Sequence, residues 1–281
     1  MVPRMATYIT SDAHGHLRAL DQALEQAAPG ADDTVYVLGD MIDRGPEPVG
    51  VINLVQSLPN VHVLMGNHER LMLNTIERGN QMDIFTWERN GGYATSAQFD
   101  ALPVAEYRAI IEWIRELPLS DAIGVGDRAY LLAHAGIEPA AFACWLAGAG
   151  YTGEDGYADV PLDVLRQALA AQDEEDLLWV RDAFWGVPTG LVGPDGRGPV
   201  VIAGHTPSIL LWRYAQNMCG TGRNEEGQGC MLEVGPTFDT GGVADHIAID
   251  CSAAAGAPEG RVGVMRLDDR RVWYGTIAEG E

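Results

Sequence analysis

The sequence predicts an α/β fold. That class rests on two observations. Apolar, strand-like runs alternate with helix-patterned segments through the N-terminal third, and the C-terminal third reads as strands joined by turns. At 281 residues and 47% hydrophobic composition, the chain is long and apolar enough to bury a sizeable core.

Each element has its own signal. "ATYIT" is a strand leading into "HLRALDQALEQA", where Leu17, Leu20 and Leu24 share one face at helical spacing. "TVYVLG" leads into "PEPVGVINLVQSL", whose prolines are tolerated in a first helical turn. "VHVLM" leads into "ERLMLNTIE". The order β-α-β-α-β-α is that of a mostly parallel layer covered by helices. "NGGYAT" follows as a turn, and "VAEYRAIIEWIREL" as a helix. "DAIGVG" and "AYLLA" are short strands joined at Asp127-Arg128, and residues 141–176 read as a mostly helical insertion. "VVIAG", "HIAID", "RVGVMRL" and "RVWYGTI" are strands, the last two joined as a hairpin through "LDDRRV". No linker divides the chain, so residues 1–281 are expected to form a single domain. The glycines of "LVGPDGRGPV" precede a strand instead of following one, which excludes a dinucleotide-binding loop and leaves a surface loop.

Bulk properties exclude several classes. The formal net charge of −22 repels a phosphate backbone and disfavours nucleic-acid binding. Apolar runs fall well short of the ~20 residues of a membrane span, and the N-terminus lacks a signal core of ~7–15 apolar residues, so a cytoplasmic location is expected. Cys144, Cys219, Cys230 and Cys251 form no CxxC pair, and Cys219 and Cys230, which bracket a glycine-rich loop, are expected to be unpaired thiols. An acidic run (Glu154, Asp155, Asp159, Asp163, Asp173, Glu174, Glu175, Asp176) contains Arg166 as its one base and reads as a solvated face.

The chemistry gathers at strand ends. "TYITSDAHG" supplies Asp12 and His14, "VYVLGDMIDRG" supplies Asp40, Asp43 and Arg44, and "VHVLMGNHE" supplies Asn67 and His68. "AYLLAHAG" supplies His134, and "VVIAGHTP" supplies His205. Ligands of open α/β sheets bind beyond the carboxyl ends of strands, so neighbouring strands would bring these side chains to one rim. Taken singly, each histidine is more often a hydrogen-bonded turn residue than a ligand, and each aspartate a turn former. Four of the seven histidines falling in such motifs makes coincidence a poor account. The set mixes imidazole with hard oxygen donors and lacks cysteine, which suits manganese, iron or zinc. Six ligands exceed the needs of one ion. Two ions ~3.5–4 Å apart, sharing a carboxylate, would hold a bridging hydroxide for in-line attack on phosphorus. Glycines beside these positions (Gly15, Gly39, Gly66, Gly136, Gly204) permit tight turns.

The series "SDAHG", "GDMIDRG", "GNHE", "HAG", "GHTP", with "WERNGGYAT" and "LLWVRDAFW", resembles the phosphoprotein phosphatase family of binuclear metallophosphoesterases, especially its bacterial and phage members. The resemblance covers roughly residues 7–93, 121–136, 177–206 and 246–277. It implies the calcineurin-like metallophosphoesterase fold, an αββα sandwich with metals at the rim and residues 141–176 near it. It also implies two divalent metal ions, manganese first, with iron or zinc as substitutes. Asp12 and His14 would hold one, Asp40 would bridge, and Asn67, His134 and His205 would complete the other. Arg44 and Arg181 would bind phosphate oxygens. His68 would be the general acid, oriented and kept protonated by Asp43. A guanidinium matches phosphate oxygens bidentately, and a carboxylate beside an imidazole favours its protonated form.

Three departures stand out. Ser11 replaces the usual glycine, with little effect expected. Met65 replaces an arginine common in protein phosphatases and so weakens the case for a protein substrate. "CSAAAG" replaces a glycine-bearing turn. The first expectation is a serine/threonine protein phosphatase, on "GDMIDRG" and "GNHE". The alternative is a diadenosine tetraphosphatase or other small-molecule (nucleotide) phosphohydrolase; such relatives often carry another residue at position 43 and aspartate at position 69. A nuclease-like phosphodiesterase lacks support, since Pro207 stands where a further histidine is usual. A non-enzymatic interaction protein would have no use for Asp43, Arg44 and His68 together.

Overall fold

A computed structural model describes residues 5–153 and 157–281; Glu154 and Asp155 of the acidic run lie outside them. In chain order the elements are β1 (Thr7–Thr10), α1 (Leu17–Ala27), β2 (Thr34–Val37), α2 (Pro48–Ser57), β3 (Val61–Val63), α3 (Asn67–Arg78), α4 (Gln81–Arg89), α5 (Tyr93–Ala101) and α6 (Val104–Arg115). Next come β4 (Ser120–Val125), β5 (Arg128–Ala133), α7 (Pro139–Gly148), α8 (Leu162–Ala170), α9 (Glu174–Trp179) and α10 (Asp182–Trp185). The chain ends through β6 (Val200–Ala203), β7 (Leu232–Val234), β8 (His246–Ala248), β9 (Arg261–Arg266) and β10 (Arg271–Thr276). The fold is α/β, with two mixed sheets flanked by helices. Contacts divide the chain into a first unit, residues 1–118 and 252–281, and a second, residues 119–251.

The first unit carries a five-stranded sheet in the order β10-β9-β1-β2-β3. Strands β1, β2 and β3 are parallel, Thr10 standing opposite Val37 and Val37 opposite Val63. The segments that follow them therefore leave the sheet along one edge. Strands β9 and β10 form the expected hairpin, antiparallel to each other and to β1. Helix α1 buries Ala19, Leu20, Ala23, Leu24 and Ala27 against β9 and β10; of the three leucines expected to share a face, Leu20 and Leu24 are buried and Leu17 is half-buried. The "NGG" turn is confined to residues 90–92, and the chain then re-enters a helix, α5, instead of continuing as loop.

The second unit carries a five-stranded sheet in the order β4-β5-β6-β8-β7. Its middle strands are parallel, and β4 and β7 close its edges antiparallel. Among the described residues, 141–176 carry the end of α7, all of α8 and the start of α9. They also belong to this unit's core, because Leu165, Ala168 and Leu169 of α8 pack with Ala122, Leu131 and Phe184. All four cysteines are free thiols, and burial and Glu233 push the Cys219 thiol up. Among the described residues, no helix is long and apolar enough to cross a membrane.

Candidate active site

In the first unit, seven of the predicted residues are carried by three neighbouring loops. The loop after β1 is zipped to the loop after β2: Asp12 N–H donates to Gly39 O (3.1 Å), His14 N–H to Asp40 O (2.9 Å) and Gly15 N–H to Met41 O (2.9 Å). The loop after β3 runs straight into α3, whose first residues are Asn67 and His68. Five of these side chains adopt a backbone conformation that L-residues avoid: φ is 53° at Asp12, 43° at His14, 53° at Asp40 and 69° at both Asp43 and Arg44. Left-handed non-glycine residues cost ~1–3 kcal/mol each and collect at functional sites.

The first pair of carboxylates faces an imidazole. His14 Nδ1 donates to the Ile42 carbonyl at 3.1 Å, which fixes the tautomer and leaves the Nε2 lone pair outward. That lone pair looks at Asp40 Oδ2 (3.6 Å) and Asp12 Oδ1 (4.0 Å). Burial first, then the positive charge of Arg44, holds the ring well below its ordinary pKa, so it is neutral. A neutral nitrogen and two carboxylates, all acceptors and all buried, repel one another unless a cation stands between them. The donor set fits a divalent metal. His68 also falls within 4.8 Å of His14 and Asp40, but its Nε2 lies 2.9 Å from the Arg44 guanidinium, which makes it a poor ligand. Ser11 is more than filler: its hydroxyl donates to Asp12 Oδ2 at 2.5 Å.

The second pair is His68 and Asp43. His68 Nδ1 donates to Asp43 Oδ2 at 2.7 Å, and both residues are buried. Asp43 accepts further bonds from Trp87 Nε1 (2.9 Å to Oδ2, 3.1 Å to Oδ1) and Thr95 Oγ1 (2.6 Å). Arg44 does not pair with Asp43. It is exposed, and Nη2 meets His68 Nε2 while Nε donates to Asn90 O at 3.4 Å. The glycines of "NGG" allow this approach. Gly91 has φ +102°, and a Cβ there would lie 2.7 Å from Arg44 Cγ; one on Gly92 would lie 2.6 Å from the Trp87 ring.

Asp40 is positioned by helix α3. Its Oδ1 accepts the His68 N–H at 3.0 Å, inside the positive end of the helix. Glu69 holds the surrounding turn: Oε2 accepts from Gly66 N (3.0 Å) and Asp40 N (2.8 Å), and Oε1 from Met41 N (2.9 Å). Met65 is buried and contributes nothing to the surface charge.

The remaining predicted residues, His134, Arg181 and His205, belong to the second unit. His134 follows β5 and His205 follows β6, adjacent parallel strands, so both leave the same edge of that sheet. Their rings meet edge to face at 5.2 Å, and Trp179 closes on His205 at 5.8 Å. His205 is also left-handed, with φ 61°. Arg181 directly precedes α10, and its guanidinium has no hydrogen-bond or ion-pair partner among the described residues. Trp185 of α10 donates to Thr206 Oγ1 at 3.1 Å, tying the Arg181 segment to the His205 loop.

Sequence reasoning did not assign Glu69, Trp87 or Thr95. A signal existed for Glu69, since it stands three residues after the glycine that opens α3, the place from which a carboxylate caps a helix.

Comparison with known proteins agrees with this chemistry. The family model described as calcineurin-like phosphoesterase matches residues 5–233. Symmetrical bis(5'-nucleosyl)-tetraphosphatases of Dechloromonas aromatica (31% identity over 137 residues, 48% of this chain and 45% of that one) and Proteus mirabilis (31% over 140 residues, 48% and 46%) are similar to it. The chain thus spans a little under half the length of these curated relatives. Among solved structures, a candidate diadenosine tetraphosphatase superposes with TM-score 0.56 at 17% identity, covering 99% of this chain and 96% of its own. A serine/threonine phosphatase of Saccharomyces cerevisiae, with similarity to human phosphatase PP5, superposes with TM-score 0.51 at 15% identity, covering 100% and 82%. At such identities these two neighbours share the fold.

Proposed function

Because the chain belongs to the calcineurin-like phosphoesterase family, we infer that it hydrolyses phosphate esters with metal, and we propose that its substrate is a dinucleoside polyphosphate or a kindred nucleotide. The observation that carries the phosphoesterase reading is the buried trio of His14, Asp12 and Asp40, three acceptors turned toward one another. The nucleotide reading draws its support from the curated relatives and from Met65, which removes a charge common at protein phosphatase sites. Protein phosphatase activity, the first expectation from the motifs, becomes the competing outcome of the test.

In this reading residues 1–281 act as one domain, with 141–176 bordering the site. Asp12, His14 and Asp40 would hold one ion, and Asn67, His134 and His205, with Asp40, would hold a second; manganese suits the set, and iron or zinc could replace it. Bound there, such ions would polarise phosphoryl oxygens and make water a competent nucleophile near neutral pH. Arg44 and Arg181 take the non-bridging oxygens of the substrate. Arg44 has two positions in turn. With its Nη2 on His68 Nε2, the ring must be neutral, donating from Nδ1 to Asp43 and accepting at Nε2. A phosphate that draws Arg44 away leaves Nε2 open to a proton, and His68 passes that proton to the leaving oxygen.

The test is a panel of diadenosine tetraphosphate, phosphopeptides, sugar phosphates and p-nitrophenyl phosphate, each with manganese, zinc or iron. The expected result is a kcat/KM for diadenosine tetraphosphate well above that for any phosphopeptide. The reverse order returns the assignment to protein phosphatase. No turnover of any substrate by metal-loaded protein ends the enzymatic reading.

A further inference from the structure

We propose that Trp87 is a positioning residue for His68: its indole N–H, beyond its bulk, fixes the Asp43 carboxylate in the plane that meets His68 Nδ1. The proposal rests on the reading of His68 as the proton donor.

Asp43 is fully buried and is satisfied by three side chains: His68, Trp87 and Thr95. Oδ2 is shared between His68 Nδ1 at 2.7 Å and Trp87 Nε1 at 2.9 Å; Oδ1 takes Thr95 Oγ1 at 2.6 Å and the longer arm of Trp87 at 3.1 Å. A carboxylate turns freely about its last bond unless donors on both oxygens hold it. Trp87 is the one donor here that reaches both oxygens. Thr95 cannot replace it, because its hydroxyl has one proton, already given to Oδ1 at 2.6 Å, and so cannot also hold Oδ2. Among the described residues no Lys or Arg pairs with Asp43, so each lost donor leaves a buried carboxylate lone pair unsatisfied.

Trp87 is held against the chain that follows its own helix. Gly92 lies against the ring so tightly that a Cβ would sit 2.6 Å from it. The ring also borders a cavity of about 360 Å³ lined by Ile76, Phe99, Leu102 and Tyr107. Removing the indole would join its volume to the cavity and leave room for a free indole molecule. That room makes a chemical test available.

Trp87→Phe keeps an aromatic ring and deletes the N–H. Losing one bond to a charged acceptor should lower kcat on p-nitrophenyl phosphate by about tenfold, with KM within about twofold. Trp87→Ala should lose more, and added indole should restore turnover, whereas benzothiophene, the same shape without the N–H, should not. A second readout needs no metal and no turnover: the proton on His68 Nδ1, seen by NMR in the metal-free protein and identified by its loss in His68→Asn, should shift or exchange faster in Trp87→Phe. Equal kcat in Trp87→Phe, or equal rescue by benzothiophene, would overturn the proposal. Should Trp87→Ala fail to fold, Trp87→Phe and the NMR signal decide. Should the wild-type protein hydrolyse nothing, the functional reading falls, and an unchanged His68 proton in Trp87→Phe would separately sink the positional one.

Discussion

Glu69→Gln is the smallest change that tests how the Asp40 turn is held. The carboxylate accepts three backbone N–H groups, two at Oε2 (Gly66 and Asp40) and one at Oε1 (Met41), and is fully buried. An amide has one oxygen and one NH2. In its better orientation the oxygen keeps Gly66 and Asp40, and the NH2 then points at the Met41 N–H. One bond to a charged acceptor is lost, worth about 1.5–3 kcal/mol, and the two kept bonds weaken because their acceptor is no longer charged. Donor facing donor adds to this, so we expect a loss of about 2–4 kcal/mol. Urea unfolding of the metal-free protein measures it. The same variant should bind manganese or zinc at least about tenfold more weakly by calorimetry, because Asp40 loses its support. A stability within about 0.5 kcal/mol of wild type, the range of an ordinary surface substitution, would refute the view that Glu69 holds this turn.

Four further outcomes are expected. His68→Asn should retain its full metal content by elemental analysis and lose about 10²–10⁴-fold in kcat; equal turnover would remove the proposed acid. Arg181→Ala should raise the inhibition constant for phosphate or vanadate by about tenfold or more, the worth of one charge-assisted contact. His14 has its pKa depressed in the folded state by burial and by Arg44, so below the ordinary value near 6.5 the unfolded chain takes up a proton that the native ring refuses. The metal-free protein should therefore lose stability as pH falls below about 6.5, and His14→Gln should flatten that slope in urea titrations. Finally, with a net charge of −22 the chain repels a polyanion at long range. Raising salt shortens that reach from about 10 Å at 0.1 M, so KM for a nucleotide polyphosphate should first fall, not rise, as salt is added.

The candidate ligands were legible as a group because each sits in a short polar motif at the end of an apolar strand, and the alternation with helices called for a mostly parallel layer. Asp12, Asp40 and Asn67 leave three adjacent parallel strands as that pattern requires. His134 and His205 do the same in the second unit. The support around them was not legible. Trp87 reaches Asp43 across 44 residues of chain and Thr95 across 52, and no local periodicity reports a contact of that kind. "NGGYAT" therefore read as a turn, and the helix that opens at Tyr93 was hidden behind its glycines. The three-residue strand β7 is too short to show an alternation. The choice between phosphoprotein and nucleotide was open for a different reason. The motifs encode phosphate chemistry, which both substrates share, and what tells the substrates apart lies outside them.

The left-handed backbone at Asp12, His14, Asp40, Asp43, Arg44 and His205 has a bearing on how this protein can be improved. Glycine or asparagine would relax every one of those positions, and each would discard a side chain to which the proposed mechanism gives a role. A screen for heat resistance alone should therefore drift toward inert proteins, with its gains mapping to the very loops where turnover resides. Selecting for survival and turnover together should push the gains elsewhere, to helix caps and surface turns, and leave those six angles untouched.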